Sequence, residues 1–182
     1  LLLTGSFTLS GCNDFLDYKP TAVVDEEKAF SDPEAMTNSA YAMLGDCWYQ
    51  YPFNLWTYGD VTSDDCLKGG SGANDTDYHP FEIWTNMTST IGPLDELWYR
   101  LFAAVSRCNR ALASLEKYGN SKLGATVTAQ RIAEVKFLRA HFYYKLITVF
   151  RKVPWIDEEV FKNNTQEKTP NDALTYQQLY EK

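Results

Sequence analysis

Two long apolar stripes, separated by only a few residues, constrain this 182-residue chain more than any other feature. Leu94, Trp98, Leu101, Val105, Cys108, Leu112 and Leu115 recur in alternating steps of four and three. That spacing keeps all of them on one face of a helix with 3.6 residues per turn. Pro93 stands just before the stripe and Gly119-Asn120 just after it, so the pattern predicts a helix over about 94–118. A short Gly-containing turn leads into a second helix, over about 128–150. There Ile132, Val135, Phe142, Leu146 and Val149 share a face, with Tyr143, Ile147 and Phe150 beside them and Glu134, His141, Lys145 and Thr148 opposite. Apolar coverage this wide needs more than one packing neighbour. Two such helices joined by a short turn form an antiparallel hairpin, and the expected fold class is all-α.

The flanks agree. Asp32 is suited to cap a helix, Pro33 to its first position and Glu34 to its dipole, with Met36, Ala40, Met43 and Cys47 as the apolar stripe. After the second long helix, Val153-Pro154 forces a stop. A loop from Trp155 to Pro170 then leads to a further helix starting near Asp172 or Thr175 and running to Lys182. Residues 48–93 follow no period. They carry Trp48, Tyr49, Tyr51, Phe53, Trp56, Tyr58, Tyr78, Phe81 and Trp84 around a glycine- and aspartate-rich stretch from Asp60 to Asp77. A long excursion rich in aromatics points to function rather than disorder.

At the N-terminus an apolar run closes on Leu9-Ser10-Gly11-Cys12 and then turns polar. This order resembles the processing site of bacterial lipoproteins, where small residues fit beside the scissile bond and the Cys thiol takes the lipid. Residues 1–11 are thus expected to be a signal segment removed on maturation, and Cys12 the site of lipid attachment. Residues 12–30 would be a lipidated tether leading into a helical body over 31–182. Each buried acyl methylene contributes about 0.8 kcal/mol, so several chains hold a protein to a membrane durably. Without an initiator Met and with a helix still running at Lys182, the sequence is expected to be the opening part of a longer protein.

Composition narrows the partners. The formal charge of −7 leaves no basic cluster to drive counterion release, which argues against nucleic acid. An aromatic content of 15% in an acidic exported chain suits neutral ligands such as sugars. Two His and four Cys, with no C-x-x-C pair, do not make a metal centre. Asp60, Asp64, Asp65, Asp75 and Asp77 lack the order of a calcium loop, and no metal or cofactor is expected. Cys47 and Cys108 fall on apolar stripes and read as buried thiols, Cys66 as a loop residue.

Three segments together carry a further resemblance. They are Gly11-Cys12-Asn13-Asp14-Phe15-Leu16-Asp17, then Trp98-x-x-Leu101-Phe102-x-x-Val105-x-Arg107-Cys108-Asn109, then Glu134 to Leu146 running into Phe150-Arg151-Lys152-Val153-Pro154. In this order they resemble the N-terminal portion of the SusD/RagB family of outer-membrane nutrient-binding lipoproteins. The resemblance implies tetratricopeptide-like helical hairpins with long inserted loops. It implies no catalysis, capture of an oligosaccharide or other nutrient at the cell surface, and delivery to a SusC-like TonB-dependent transporter. It also implies that the region before the Trp98 helix supplies part of the sugar site. Arg151-Lys152 departs from the family, which often has glycine after the aromatic residue.

Individual residues divide between packing and function. Trp98 lies on the stripe and reads as core; Asn109, at its edge, reads as an interhelical or loop-securing hydrogen bond. Arg139 falls mid-arc among Ile132, Val135, Tyr143 and Leu146, so its guanidinium needs a carboxylate from another segment, expected from the 60–65 acidic cluster as a structural ion pair. The candidate ligand contacts are Asp65, Tyr78, Trp84 and Asn86, which combine stacking surfaces with hydroxyl-binding groups. Anchoring the loop to the core is the competing role for each of them. Two other functions stay open: a helical-repeat scaffold that binds proteins, and a secreted glycoside hydrolase, for which no catalytic motif stands out.

Overall fold

Asp32 behaves as its position demands. Its carboxylate accepts the Ala35 N–H at 3.0 Å and Pro33 occupies the first helical turn. The computed structural model of the chain describes residues 26–45, 56–70, 77–163 and 168–182. Within them, in chain order, lie α1 (Glu26–Phe30), α2 (Pro33–Tyr41, extended by a 3-10 turn over Ala42–Leu44), α3 (Trp56–Gly59) and α4 (His79–Ile83). There follow α5 (Gly92–Ser114), a π-helical segment (Leu115–Gly119), α6 (Asn120–Leu123), α7 (Ala125–Phe150), α8 (Glu158–Lys162) and α9 (Tyr176–Tyr180). Every regular element among the described residues is helical, and the all-α expectation is borne out.

The hairpin of α5 and α7 is the frame. Trp98, near the start of α5, meets Phe150, at the end of α7, with ring centroids 5.0 Å apart. At the other end a Cβ on Gly119 would stand 2.5 Å from the Thr128 methyl. Contacts at both ends of this kind require the two helices to run antiparallel. Between them Leu101, Val105, Cys108, Leu112 and Leu115 of the predicted stripe are buried against Val135, Leu138, Phe142, Leu146 and Ile147. α2 packs across α5 through Ala40 and Met43. Cys47, the last residue of its predicted stripe, lies outside the described residues.

Two boundaries differ from expectation for a physical reason. Gly119 does not end the first long helix. The helix widens into the π segment and continues to Leu123, and the stop falls at Gly124, whose φ of +80° only glycine adopts freely. Gly119 serves close approach instead, because any side chain there would collide with Thr128. The expected loop from Trp155 contains α8, a single turn capped by the Asp157 carboxylate, which accepts the Glu159 and Val160 N–H groups at 3.1 and 3.0 Å. α9 opens on a capping box in which Thr175 and Gln178 satisfy each other's backbone N–H.

The segment leading into the helical body is tied to it. Ser114 donates its hydroxyl to the Phe30 carbonyl at 2.6 Å, and the Phe30 ring meets Tyr118 edge-on at 6.0 Å. The signal segment 1–11, Cys12 and the tether up to residue 25 lie outside the described residues.

Candidate functional site

The segment between α2 and α5 holds the candidate ligand residues, and it is built from anchors outward. Tyr58 on α3 donates its hydroxyl to the Pro93 carbonyl at 2.7 Å and sets its ring edge-on to Phe81 of α4 at 5.5 Å. Burial, and then the neighbouring Tyr78, push the Tyr58 phenol far above its ordinary value, so it stays a neutral donor. Val61 and Phe81 are buried, and Trp56 meets Tyr78 at 5.7 Å. Trp48, Tyr49, Tyr51 and Phe53 of the same aromatic-rich stretch, and Asp75 of its acidic part, lie outside the described residues.

On these anchors Trp84 closes α4 in the left-handed conformation, with φ +55°. That conformation is rare for a bulky residue and persists where surrounding contacts determine it. One such contact is the indole Nε1, which donates to the Thr62 carbonyl at 3.2 Å. The side chain remains 63% exposed. Asn86 also has positive φ, +56°, and is exposed, as is Asp65, whose backbone N–H donates to Ser63 Oγ at 3.2 Å. Tyr78 is only 8% exposed, so its ring is an anchor beside Trp56 and offers no open face for stacking. The segment thus exposes an indole held at its N–H edge, and separately a carboxylate at Asp65 and an amide at Asn86.

Arg139 stands elsewhere, in the hairpin. It is 8% exposed and forms an ion pair with Glu158 of α8, while its Nη1 also donates to Asn109 Oδ1 at 2.7 Å. Asn109 Nδ2 in turn donates to the Ile156 carbonyl at 2.9 Å. Tyr143 completes the network by accepting the Ile156 N–H at 2.7 Å. The partner carboxylate thus comes from the segment directly after α7 and not from the 60–65 cluster. The physical reason is chain geometry: the turn after Phe150 brings residues 153–158 back over the buried stretch of α7. Nothing in the periodicity identified Glu158, because α8 is too short to leave a pattern. Burial pushes the Cys108 thiol up to about 12, against a smaller opposing effect of Arg139, so Cys108 is an inert core residue. Cys66 and Cys108 are both free thiols.

Sequence reasoning missed two ties between the 60–70 segment and the end of α4. Thr62 acts through its backbone carbonyl, which no side-chain pattern reveals. Glu82 accepts the Lys68 N–H on Oε2 at 3.3 Å, a tie between two segments that lack any period. Among the described residues no group of three or more His, Cys, Asp or Glu side chains is placed to hold a metal ion, and no helix is long and apolar enough to cross a membrane. A cleft of about 370 Å³ opens beside α7 and α9, lined by Lys136, Tyr144, Trp155 and Tyr180 among others, and by none of the four candidate ligand residues.

Comparison with known proteins gives this arrangement a family. A family model of SusD-like proteins, described as starch-binding and associating with the outer membrane, matches residues 14–182, and the chain belongs to that family. It is similar to SusD-like protein P2 of Formosa agariphila, at 25% identity over 176 residues that cover 92% of this chain and 33% of that protein. It is also similar to a SusD-like protein of Bacteroides ovatus, at 20% identity over 163 residues covering 87% and 28%. The chain therefore spans about a third or less of the length of these curated relatives.

Proposed function

We propose that this chain is the opening part of a lipid-anchored, cell-surface glycan-binding protein of the outer membrane. In this reading it captures an oligosaccharide and delivers it to a SusC-like TonB-dependent transporter, without catalysing a reaction. Membership of a family described as starch-binding supports the ligand class. The single structural observation that carries the reading is Trp84: a large apolar ring, 63% exposed, held at its N–H edge in a left-handed backbone turn. An exposed indole has an unfavourable hydration cost that a sugar's C–H face relieves by stacking. Asp65 and Asn86 would then accept and donate hydrogen bonds to its hydroxyls, and the rigid indole loses little freedom on binding. Tyr78 contributes by holding α4 in place. The tether rests on Leu9-Ser10-Gly11-Cys12, with Cys12 as the acylated residue.

A glycan array on the full-length protein, followed by calorimetry, tests this. Saturable oligosaccharide binding that disappears in Trp84→Ala with an unchanged melting temperature is the expected result. Tight binding to another exported protein with no sugar bound would favour the scaffold reading instead. Metabolic labelling with palmitate, lost in Cys12→Ser, tests the anchor. Co-purification of a TonB-dependent barrel from outer membranes tests the transporter.

A further inference from the structure

We infer that the outer face of α7 is the seat of a helix supplied by the remainder of a longer protein, and that the cleft beside α9 belongs to that seat; this rests on the reading of the chain as the opening part of such a protein. Ala133, Phe137, Ala140, Tyr144 and Thr148 recur in steps of four, three, four and four, and all five are exposed. They share one face of α7, turned away from Val135, Phe142 and Leu146 in the core. Phe137 is 74% exposed and Tyr144 54%. Among the exposed residues of α7 from Ala129 to Thr148, Lys136 alone is charged. On α5 the exposed residues are Asp95, Tyr99, Ser106 and Arg107, the mixture usual for a solvated face.

Water is a poor neighbour for such a face. Its two rings are joined across the cleft by a third, Tyr180 of α9, which is also exposed, and a contiguous apolar surface of this kind marks an interaction site. Ala140, Tyr144 and Tyr180 all line the cleft, so face and cleft are one groove between α7 and α9. The groove has the relief a helix needs. Ala133 and Ala140 stand four residues before and three after Phe137, and alanines at those places leave hollows on either side of the ring. A second helix seats its own side chains in such hollows, with the two axes about 8–10 Å apart. The occupant follows from the size of the relatives. The aligned part is 33% of one and 28% of the other, so about two-thirds of a protein of that length has still to pack against this frame. Lys182 lines the cleft, and residues that follow it in a longer protein start beside the groove and reach it without a long connection. The incoming helix should be amphipathic, with an acidic side chain on the edge that meets Lys136. The cleft is then a packing seam and not a second ligand site.

The test uses the purified full-length protein, whose intact mass is measured first. Phe137→p-benzoylphenylalanine is irradiated and the crosslinked peptides are mapped. A crosslink within one copy to a residue beyond Lys182 is the expected result. Should that variant not fold, Tyr144→p-benzoylphenylalanine, on the same face, takes its place. In parallel, Phe137→Cys is labelled with a maleimide and followed at that peptide. Labelling about tenfold or more slower than in the urea-unfolded protein is expected, and independent of protein concentration. Labelling at the unfolded rate overturns the inference, as does the absence of any crosslink. So does a crosslink that joins two copies or that stays within residues 1–182. Any of these in a protein longer than this chain leaves the reading of an opening part intact, whereas a mature protein no longer than this chain overturns both.

Discussion

Along α5, and along α7 from Val135 to Ile147, a buried residue recurs at least every four positions, whereas among the described residues from Trp56 to Ile91 only Thr57, Val61, Tyr78 and Phe81 are buried. The hairpin is placed by continuous apolar contact, supplemented by one buried polar network at Arg139. The Trp84 segment is placed by four inward side chains and by hydrogen bonds that reach from side chains to backbone. Burial of the first kind is redundant, since losing one contact leaves many. Placement of the second kind rests on fewer contacts. The exposed indole of Trp84 is thus carried where burial is sparse, on a frame that supplies the stability.

The largest effects should come from the frame. Phe142 is fully buried between the two long helices, and Phe142→Ala is expected to lower global stability by about 3–5 kcal/mol. Phe81→Ala removes a side chain of equal size from α4 and should lower it by less. Its main effect should be faster hydrogen exchange confined to residues 56–84. Equal losses in urea unfolding would break the comparison, since the excursion would then be as integral to the fold as the hairpin.

Arg139→Ala belongs in the same range, about 3–5 kcal/mol, because it strands Glu158 and Asn109 without their partner. The pH dependence follows from Glu158. Burial, the largest single effect, raises its carboxyl, but the Arg139 hydrogen bond, its own backbone N–H and the charges of Arg139 and Lys136 together outweigh it, and the net value lies below the ordinary 4.5. A carboxyl held below its unfolded value stabilises the fold in full above that value, and the contribution is lost as pH falls through the folded one. Urea midpoints measured downward from pH 6 should therefore fall below about pH 4.5, and less steeply in Glu158→Gln. A native slope in that variant would assign the acid sensitivity to other carboxylates.

Gly119→Ala sharpens the account of the turn between the long helices. The added methyl meets the Thr128 methyl at 2.5 Å, and overpacking of this kind costs about 1–3 kcal/mol. Thr128→Ser removes the opposing methyl while keeping the hydroxyl that donates to the Gly124 carbonyl at 2.8 Å. The double variant should recover part of the loss, measured by thermal melting, because the hydroxyl oxygen that remains still lies 2.9 Å from the added carbon. Failure to recover would mean that this oxygen, and not the methyl, sets the cost, since Gly119 has the right-handed helical dihedrals that any residue adopts.

The same contrast explains what could be read from the sequence. Leu101, Val105, Cys108, Leu112 and Leu115 announce the hairpin because regular burial leaves a period, and Asp32-Pro33 announces α2 because capping chemistry is local. The burial of Arg139 was legible from helical phase, but its partner was not: Glu158 arrives through a turn and a one-turn helix that leave no period. Trp84 stood out as an aromatic in a polar loop. That Tyr78 turns inward while Trp84 turns outward depends on the left-handed backbone at Trp84 and on Tyr58 and Phe81 filling the space beneath, neither of which a residue pattern encodes.

The smallest expected effect concerns the turn after α7 that leads to the clamp formed by Arg139 and Glu158. Arg151 takes φ +64° and ψ −53°, and the Lys152 N–H reaches the Phe150 carbonyl at 2.6 Å, a γ-turn of the positive-φ kind. The departure from glycine at this position thus leaves the tight turn in place, and the chain makes it with a side chain that the conformation disfavours. Holding a non-glycine residue there costs about 1–3 kcal/mol. Part of that is offset by the guanidinium lying over the Tyr176 ring at 4.8 Å, worth about 0.5–1 kcal/mol at an exposed position. Arg151→Gly relieves the strain but loses the ring contact, and it adds freedom to the unfolded chain worth about 0.5–1 kcal/mol. The net change should be within about 1 kcal/mol of zero, whereas Arg151→Val, which keeps the strain and loses the ring contact, should destabilise clearly. If Arg151→Gly instead destabilises as much as Arg139→Ala, the Tyr176 contact is what holds α9 to the frame, and the clamp extends further along the chain than Glu158.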